Sequence, residues 1–392
     1  MTSLSRRDLL KAGSASAAFA LAQLISPDFV FPAEGEGEEP VPFLNMPRAR
    51  PGSLDWETLD SWTTPQDQVF NVSHYGVPEV AADSYELEVT GLVKQPLKLT
   101  LDELKARTKR EQLMTLECAG NGASKGFIGA VYNSKWEGTS LRPLLEEAGI
   151  QPGAKEIVFI GHDTNEETLR KGTRRELKIT VPFGRSMSLD DMIAKDPLIA
   201  WNRNGEPLTK PNGSPVRLIV PGWYGIANVK WLRRIEVRDT RYMGKYMGRE
   251  YVTVRGERRD GEVVFVETSI SAMNLKSMIA RITRQATTDK GIPTKAYGAV
   301  WGDGTPIKQV EVQVDGGDWQ PATLDKEPRA EFCWTFFSID LGHLKPGKHT
   351  VVSRATDEKG RVQPTAEDDV IALKETYWEA FQQWPREIEL EA

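Results

Sequence analysis

Residues 113–122, Leu-Met-Thr-Leu-Glu-Cys-Ala-Gly-Asn-Gly, place one of the chain's two cysteines where a period-two apolar run meets a glycine-rich turn. Met114, Leu116 and Cys118 fall on one face of that run, which predicts a β-strand, and Gly120 and Gly122 then allow a sharp change of direction. The Cys118 sulfur is thereby expected at a loop edge that a ligand can approach. A thiolate held in a constrained, water-poor place is a strong metal ligand. An isolated cysteine is more often a small buried hydrophobe. These ten residues by themselves leave both roles open.

At 392 residues the chain is long enough for two or three domains. Lys and Arg number 50 against 56 Asp and Glu, a formal charge of −6, so there is no basic field for nucleic acid and that class of partner is excluded. The N-terminus reads Ser5-Arg-Arg-Asp-Leu-Leu-Lys11, followed by an alanine-rich apolar run to about Ile25. This resembles a twin-arginine export signal, with Ala20-Leu-Ala22 as a cleavage site, and the run is too short for a membrane span. A periplasmic or otherwise exported protein is expected. Export permits a disulfide between Cys118 and Cys333, but the Phe-Cys-Trp-Thr-Phe-Phe run at 332–337 reads as a buried strand with Cys333 in the core, and ligation by Cys118 would preclude the bond.

Taken in order, residues 1–33 read as signal and tether, and 34–65, rich in Pro, Gly and Glu, as an irregular arm. Residues 66–267 form a mixed domain. Tyr85–Thr90 alternates like a half-buried strand, Thr100-Leu-Asp-Glu103 is a capping box, Leu141–Ala148 is an apolar helix closed by Gly149, and Lys155–Ile160 is a strand. Pro197–Trp201 and Val216–Val220 are further strands, and Val229, Trp231, Ile235 and Val237 are expected on one face of a longer one. Neither a Gly-x-Gly-x-x-Gly fingerprint nor a Walker loop occurs. Residues 268–374 change character: strand-like runs at 295–301, 307–314 and 348–356, split by Asp315-Gly-Gly317 and Pro346-Gly347, predict an immunoglobulin-like β-sandwich, and 375–392 an acidic tail. The fold class is α+β.

Leu-Glu-Cys-Ala-Gly-Asn at 116–121 resembles the cysteine motif of the sulfite oxidase family of molybdenum enzymes. Other segments extend the resemblance in chain order: Asn71-Val-Ser-His-Tyr-Gly-Val-Pro78, Ile179-Thr-Val-Pro182, Ala200-Trp-Asn-Arg-Asn-Gly205, and above all 215–232, Pro-Val-Arg-Leu-Ile-Val-Pro-Gly-Trp-Tyr-Gly-Ile-Ala-Asn-Val-Lys-Trp-Leu. The resemblance implies a molybdopterin-binding domain followed by an immunoglobulin-like dimerisation domain, hence a homodimer. It implies Cys118 as the molybdenum ligand, Tyr251 as the active-site tyrosine, and Asn71, Ser73, His74, Asn212, Arg217, Asn228 and Lys230 as cofactor contacts, with Asp163 added only from its place in a loop after a strand. Arg217 and Lys230 also suit a phosphate dianion on charge alone. His162, in a loop after a strand, is expected to reach the pterin as well, whereas His343 and His349 are assigned nothing.

Two family arginines that bind the anionic substrate are replaced by Val72 and Ala123, Gly122 replaces another arginine, and Asn212 stands where a pterin-contacting histidine is found. Each lost charged hydrogen bond costs a dianion roughly 1.5 to 3 kcal/mol. Lys125 and Arg281 are the cations available to compensate. The leading expectation is oxidation of sulfite to sulfate by oxygen-atom transfer. Electrons then pass to an external acceptor such as an exported cytochrome, because no Cys-x-x-Cys-His haem motif or separate haem domain is present. Alternatives are the same cofactor acting on a sulfane or an S- or N-oxide, and a metal-free envelope binding protein.

Overall fold

Strands carry most of this fold, and its helices are short. The computed structural model describes residues 37–46, 50, 52–124, 127–327 and 329–391. The segment 1–33 expected to be a signal and tether, and Lys125, lie outside the described residues. From the arm comes β1 (Glu39–Pro40). The first domain runs β2 (Glu86–Gly91), β3 (Leu97–Thr100), α1 (Leu101–Lys105), β4 (Lys109–Glu117), β5 (Val131–Ser140), α2 (Leu141–Ala148), β6 (Glu156–Leu169), β7 (Leu177–Ser188), α3 (Leu189–Lys195), β8 (Leu198–Arg203), β9 (Glu206–Pro207), β10 (Arg217–Ile219) and β11 (Leu232–Arg238). A hairpin of β12 (Val252–Arg259) and β13 (Glu262–Ser269) leads to β14 (Lys276–Arg284), β15 (Ile292–Trp301), β16 (Ile307–Val314), β17 (Gln320–Pro321), β18 (Thr323–Leu324), β19 (Thr335–Leu344), β20 (Gly347–Asp357), α4 (Asp369–Ala372) and β21 (Arg386–Leu390).

Local chemistry explains the element ends. Thr100 accepts from the Glu103 amide while the Glu103 carboxylate accepts from the Thr100 amide, so both halves of the expected capping box are made. Gly149, at φ +69°, closes α2 in the left-handed conformation that favours glycine. In the first domain β10-β8-β5-β4 form an antiparallel sheet with β9 on β8, and β3-β2-β11-β6-β7 a second in which β2 and β11 are parallel. The sandwich stacks β1-β14-β15-β19-β18 on β17-β16-β20-β21. Val310, Val312, Ile279, Val300, Phe337, Val351 and Ile388 fill the space between these sheets.

Three expectations change. The strand expected across Val229 to Val237 starts only at Leu232, because Trp231 adopts φ +49° and a register shift follows at Leu232/Arg234. The arm is irregular, yet its Leu54, Trp56, Leu59 and Trp62 are core residues: Trp62 and Trp334 each donate an indole N–H to the other's carbonyl, and Trp56 stacks on Trp301 at 5.7 Å. Cys333 is buried but sits in a bend before β19, and both cysteines are free.

The two domains meet at the end of β4. Glu117 is wholly buried; one carboxylate oxygen accepts from the Lys276 ammonium of β14 and from the Asn121 amide at 2.9 Å, the other from the Trp301 indole at 2.9 Å. Removing one partner of such a pair strands a buried charge, whereas replacing both with apolar groups is much less costly. Lys276→Met is therefore expected to destabilise the protein by about 3 to 5 kcal/mol and Glu117→Gln/Lys276→Met by clearly less. Guanidinium unfolding of the single and double variants checks this; a double variant as unstable as the sum of its singles would refute it.

Candidate functional site

Asn71, Ser73, His74, Cys118, Asp163, Asn212, Arg217, Asn228, Lys230 and Tyr251 all line one cleft of about 630 Å³. Phe70, Leu116, Tyr132, Phe183, Ile226 and Trp231 complete its apolar walls. Residues 140 or more positions apart converge because β4, β6, β7 and the turn between β10 and β11 all end or bend here.

One part of the cleft is cationic. Arg217 is buried, stacks over Trp136 at 4.9 Å, and donates to the Asn212 and Asn228 carbonyls at 3.0 and 3.1 Å, leaving its Nε without a partner. Lys230 donates to Asn71 Oδ1 at 2.6 Å, Ser73 Oγ at 2.9 Å and the Pro211 carbonyl at 2.9 Å. Burial, and then Arg217, push the Lys230 pKa down to about 7, with Asp163 opposing. Asp163 is pushed up to about 6 by burial, and its Oδ1 has no partner. Two adjacent cations, one depressed and one with an idle N–H, call for an anion with several acceptor oxygens. A phosphate fits this donor set.

Asn228 serves differently from a simple ligand contact. Its Oδ1 accepts from the Val220 amide at 2.8 Å and its Nδ2 donates to the Trp223 and Tyr224 carbonyls at 3.3 and 3.0 Å, so it braces the turn that carries Lys230. Asn212 donates to Thr209 Oγ1 at 2.8 Å. His162 and Asp163 lie within β6 rather than in a loop, at the register shift between Ile160 and Thr164, and only Asp163 lines the cleft.

Cys118 sits one residue beyond β4, its amide donating to the Ala130 carbonyl at 2.9 Å. Burial pushes its thiol up to about 11, with Glu117 adding to the shift and Lys276 and the Gly120 backbone opposing it. Thiolate character at neutral pH therefore needs a bound metal. Among the described residues no group of three or more His, Cys, Asp or Glu side chains could hold a metal ion, so Cys118 stands in the cleft without a side-chain cluster of that kind. Tyr251, at φ +56°, stacks on Trp378 at 4.1 Å and meets the His74 ring edge-on at 5.2 Å. Burial, and after it Cys118, push its phenol far up, so it stays a neutral O–H donor. His74 stacks on Tyr246 at 4.5 Å and is pushed down to about 4 by burial, Lys230 and Lys245, so its ring is neutral at pH 7.

Sequence reasoning missed two contributors. Arg185 of β7 is buried with no acid partner among the described residues and donates to the Tyr246 and Ile270 carbonyls; Ile270 in turn donates its amide to the Tyr251 carbonyl at 3.1 Å. Burial lowers its pKa to about 10. Trp378 lies far from Tyr251 in sequence, and no local signal ties them. The tail also explains Gly122: at φ +96°, a Cβ there would meet Ala380 Cβ at 2.9 Å and Trp384 Cζ2 at 3.3 Å. Val72 stands on the cleft wall, Ala123 is exposed, and Arg281 donates instead to the Glu57 and Leu59 carbonyls of the arm. Among the described residues, Arg217 and Lys230 are the cleft's only Lys or Arg.

The model of the oxidoreductase molybdopterin binding domain matches residues 74–246, and that of the Mo-co oxidoreductase dimerisation domain residues 267–381. Sulfite oxidase of Gallus gallus is 31% identical over 327 residues, covering 78% of this chain and 69% of that protein. Mitochondrial sulfite oxidase of Rattus norvegicus is 30% identical over 78% of this chain and 58% of its own length, and a Hordeum vulgare nitrate reductase is 32% identical over 77% and 37%. The chain thus spans just over half the length of several curated relatives it matches. The crystal structure of the sulfane dehydrogenase SoxCD from Paracoccus pantotrophus superposes with a TM-score of 0.70 at 26% identity, covering 91% of this chain and 90% of that one.

Two tests follow from this geometry. Gly122→Arg, which restores the family's side chain, is expected to cost about 1 to 3 kcal/mol through backbone strain and overpacking against Ala380. Urea unfolding checks it, and an unchanged midpoint would show that the tail yields. Lys230 has a folded pKa below its unfolded value of about 10.4. The cost of burying its ammonium is full below pH 7 and is relieved as pH rises toward 10. Cofactor-free protein is therefore expected to gain stability over that window relative to Lys230→Met. Parallel pH curves would contradict it.

Proposed function

Because the chain belongs to the sulfite oxidase family of molybdopterin oxidoreductases, we propose that it oxidises sulfite to sulfate by oxygen-atom transfer and passes two electrons to an external acceptor. The observation that carries this reading is the coincidence, in one cleft, of a free cysteine and an unsatisfied two-cation cradle. Arg217 and Lys230, with Asn71 and Ser73 orienting the ammonium, would hold the pterin phosphate; His74 and Asp163 would flank the pterin, and Cys118 would ligate molybdenum. Bound there, the cofactor supplies a metal centre for oxygen-atom transfer and two-electron storage.

The chain's own groups complete the site. Tyr251 keeps its proton and offers an O–H to a developing oxyanion. Trp378 fixes the plane of that ring and shields it from water, while the Arg185 guanidinium anchors the carbonyls of Tyr246 and Ile270 on either side of it. His74, uncharged at neutral pH, adds a ring wall without competing for the anion.

A second reading keeps the cofactor and changes the substrate to a sulfane or an S- or N-oxide. It is favoured by one observation: both cleft cations belong to the cradle, and Val72 and the tail-covered Gly122 leave no further cation there among the described residues. The likeness to a sulfane dehydrogenase points the same way. The dimerisation-domain match supports a homodimer, and the Arg6-Arg7 segment supports export to the periplasm, with the electrons leaving to a separate carrier.

Metal analysis of the exported protein is expected to give about one molybdenum per chain, with sulfite-dependent ferricyanide reduction that Cys118→Ser abolishes. Molybdenum without sulfite turnover, but with turnover of a sulfane or sulfoxide, would select the second reading. Protein from a cofactor-competent host that holds no molybdenum would overturn both.

A further inference from the structure

The β6–β7 hairpin has a second feature that the cleft does not use. Its base lines the cleft through Asp163 and Phe183, and its arms then run on to a tip at Arg170–Lys178. Arg170 lies seven positions beyond Asp163, which at about 3.3 Å per residue carries the tip roughly 20 Å past the cleft wall. Residues 170–178 are all exposed. They hold five cations, Arg170, Lys171, Arg174, Arg175 and Lys178, and one carboxylate, a net +4 on a chain whose total is −6.

The tip is a built turn. Arg170 takes φ +52°, Thr173 Oγ1 donates to the Arg170 carbonyl at 2.8 Å, and the one carboxylate, Glu176, is taken up by the Gly172 amide at 2.9 Å. Among the described residues only Lys178 of the five cations has an acid partner, Glu166 at 3.9 Å. Four cations without an ion-pair partner among the described residues, in a held turn with a single carboxylate, make a local positive field, and Leu177, 53% exposed, lies beside them. Between the tip and the cleft, Glu167 of β6 accepts from Tyr75 at 3.2 Å and from Lys245 at 2.7 Å. Tyr75 packs on Tyr246, which packs on His74, so the cleft's rim on this side is aromatic.

We propose that this hairpin tip is the docking surface for an acidic one-electron carrier protein. The inference rests on the reading that electrons leave to an external acceptor. An acidic patch on the carrier would pair with Arg170, Lys171, Arg174 and Arg175, and its body would then lie over the Tyr75–Tyr246 rim. Charge complementarity of this kind governs encounter rate and orientation more than final affinity.

The test is direct association of the molybdenum-loaded protein, immobilised, with oxidised plastocyanin as an acidic probe and horse cytochrome c as a basic one. Wild type is expected to associate with plastocyanin at least tenfold faster than Arg170→Glu/Lys171→Glu/Arg174→Glu/Arg175→Glu, and tenfold faster at 20 than at 200 mM salt. Cytochrome c should show no such preference for wild type. Equal plastocyanin rates for the two proteins would overturn the proposal. So would salt-sensitive binding of wild type, lost in the variant, to phosphatidylglycerol vesicles but not to plastocyanin, which would make the tip a membrane contact. Reduction of the bound centre by sulfite, followed optically without any acceptor, does not involve the tip. Its failure would count against the sulfite reading and leave the association result standing.

Discussion

The structure turns on the buried carboxylate of Glu117. Residue 117 ends β4, residue 118 is the cysteine, and the Glu117 side chain reaches into the sandwich domain for Lys276 and Trp301. The same carboxylate takes the Asn121 amide, and Asn121 accepts in turn from the Ala130 amide at 3.0 Å, so the turn after Cys118 is tied to the domain interface and to β5 at once. A buried ion pair is weak evidence for stability, since its desolvation cost is comparable to its attraction. Its effect here is geometric: the cysteine cannot shift without moving a buried charge relative to its counter-ion Lys276. The sandwich domain therefore bears on the cleft although it supplies none of its walls.

Elements with a local signal were legible in the sequence. The capping box at Thr100, the helix closed by Gly149 and the alternation of Val310 and Val312 each depend on neighbours within a few residues, and each was found as expected. The cleft was legible for another reason: its residues sit in segments whose order resembles a family, and all ten come together. Periodicity failed at Trp231, where a positive φ and a register shift delay the strand to Leu232, although Ile235 and Val237 are buried as expected. It also failed for His162 and Asp163, where β6 outlasts its apolar run and continues as the hairpin. Trp56, Trp62 and Trp378 were invisible as partners because their contacts cross more than a hundred positions, and composition marked their segments only as irregular or acidic.

Charge in the cleft is arranged by subtraction as much as by addition. Lys230 and Arg217 keep their cations close, and burial rather than an acid partner sets the Lys230 pKa, so the cradle's electrostatic demand is met only by an anion. His74 and Tyr251 are both held neutral by burial, and they separate this cradle from Cys118 in chemistry if not in space. A charged ring at either place would compete with the cofactor for hydrogen bonds that the cradle has to spare.

The tail links one departure from the family pattern, Gly122, to the packing of Tyr251. An arginine at position 122 needs a backbone that tolerates a Cβ and open volume above it; here the backbone is at φ +96° and Ala380 and Trp384 occupy that volume. The Glu379 amide donates to the Ala119 carbonyl at 2.8 Å, which seats the tail on the cysteine turn, and this seating carries Trp378 onto Tyr251. Loss of the cation and gain of the aromatic cover are therefore not independent substitutions. A chain that evolved an arginine back at 122 would have to lift residues 378–384, and with them the ring that holds Tyr251 in its strained conformation. The cover on position 122 and the orientation of Tyr251 are in this way coupled through one segment, while Val72 stands apart from it on the cleft wall.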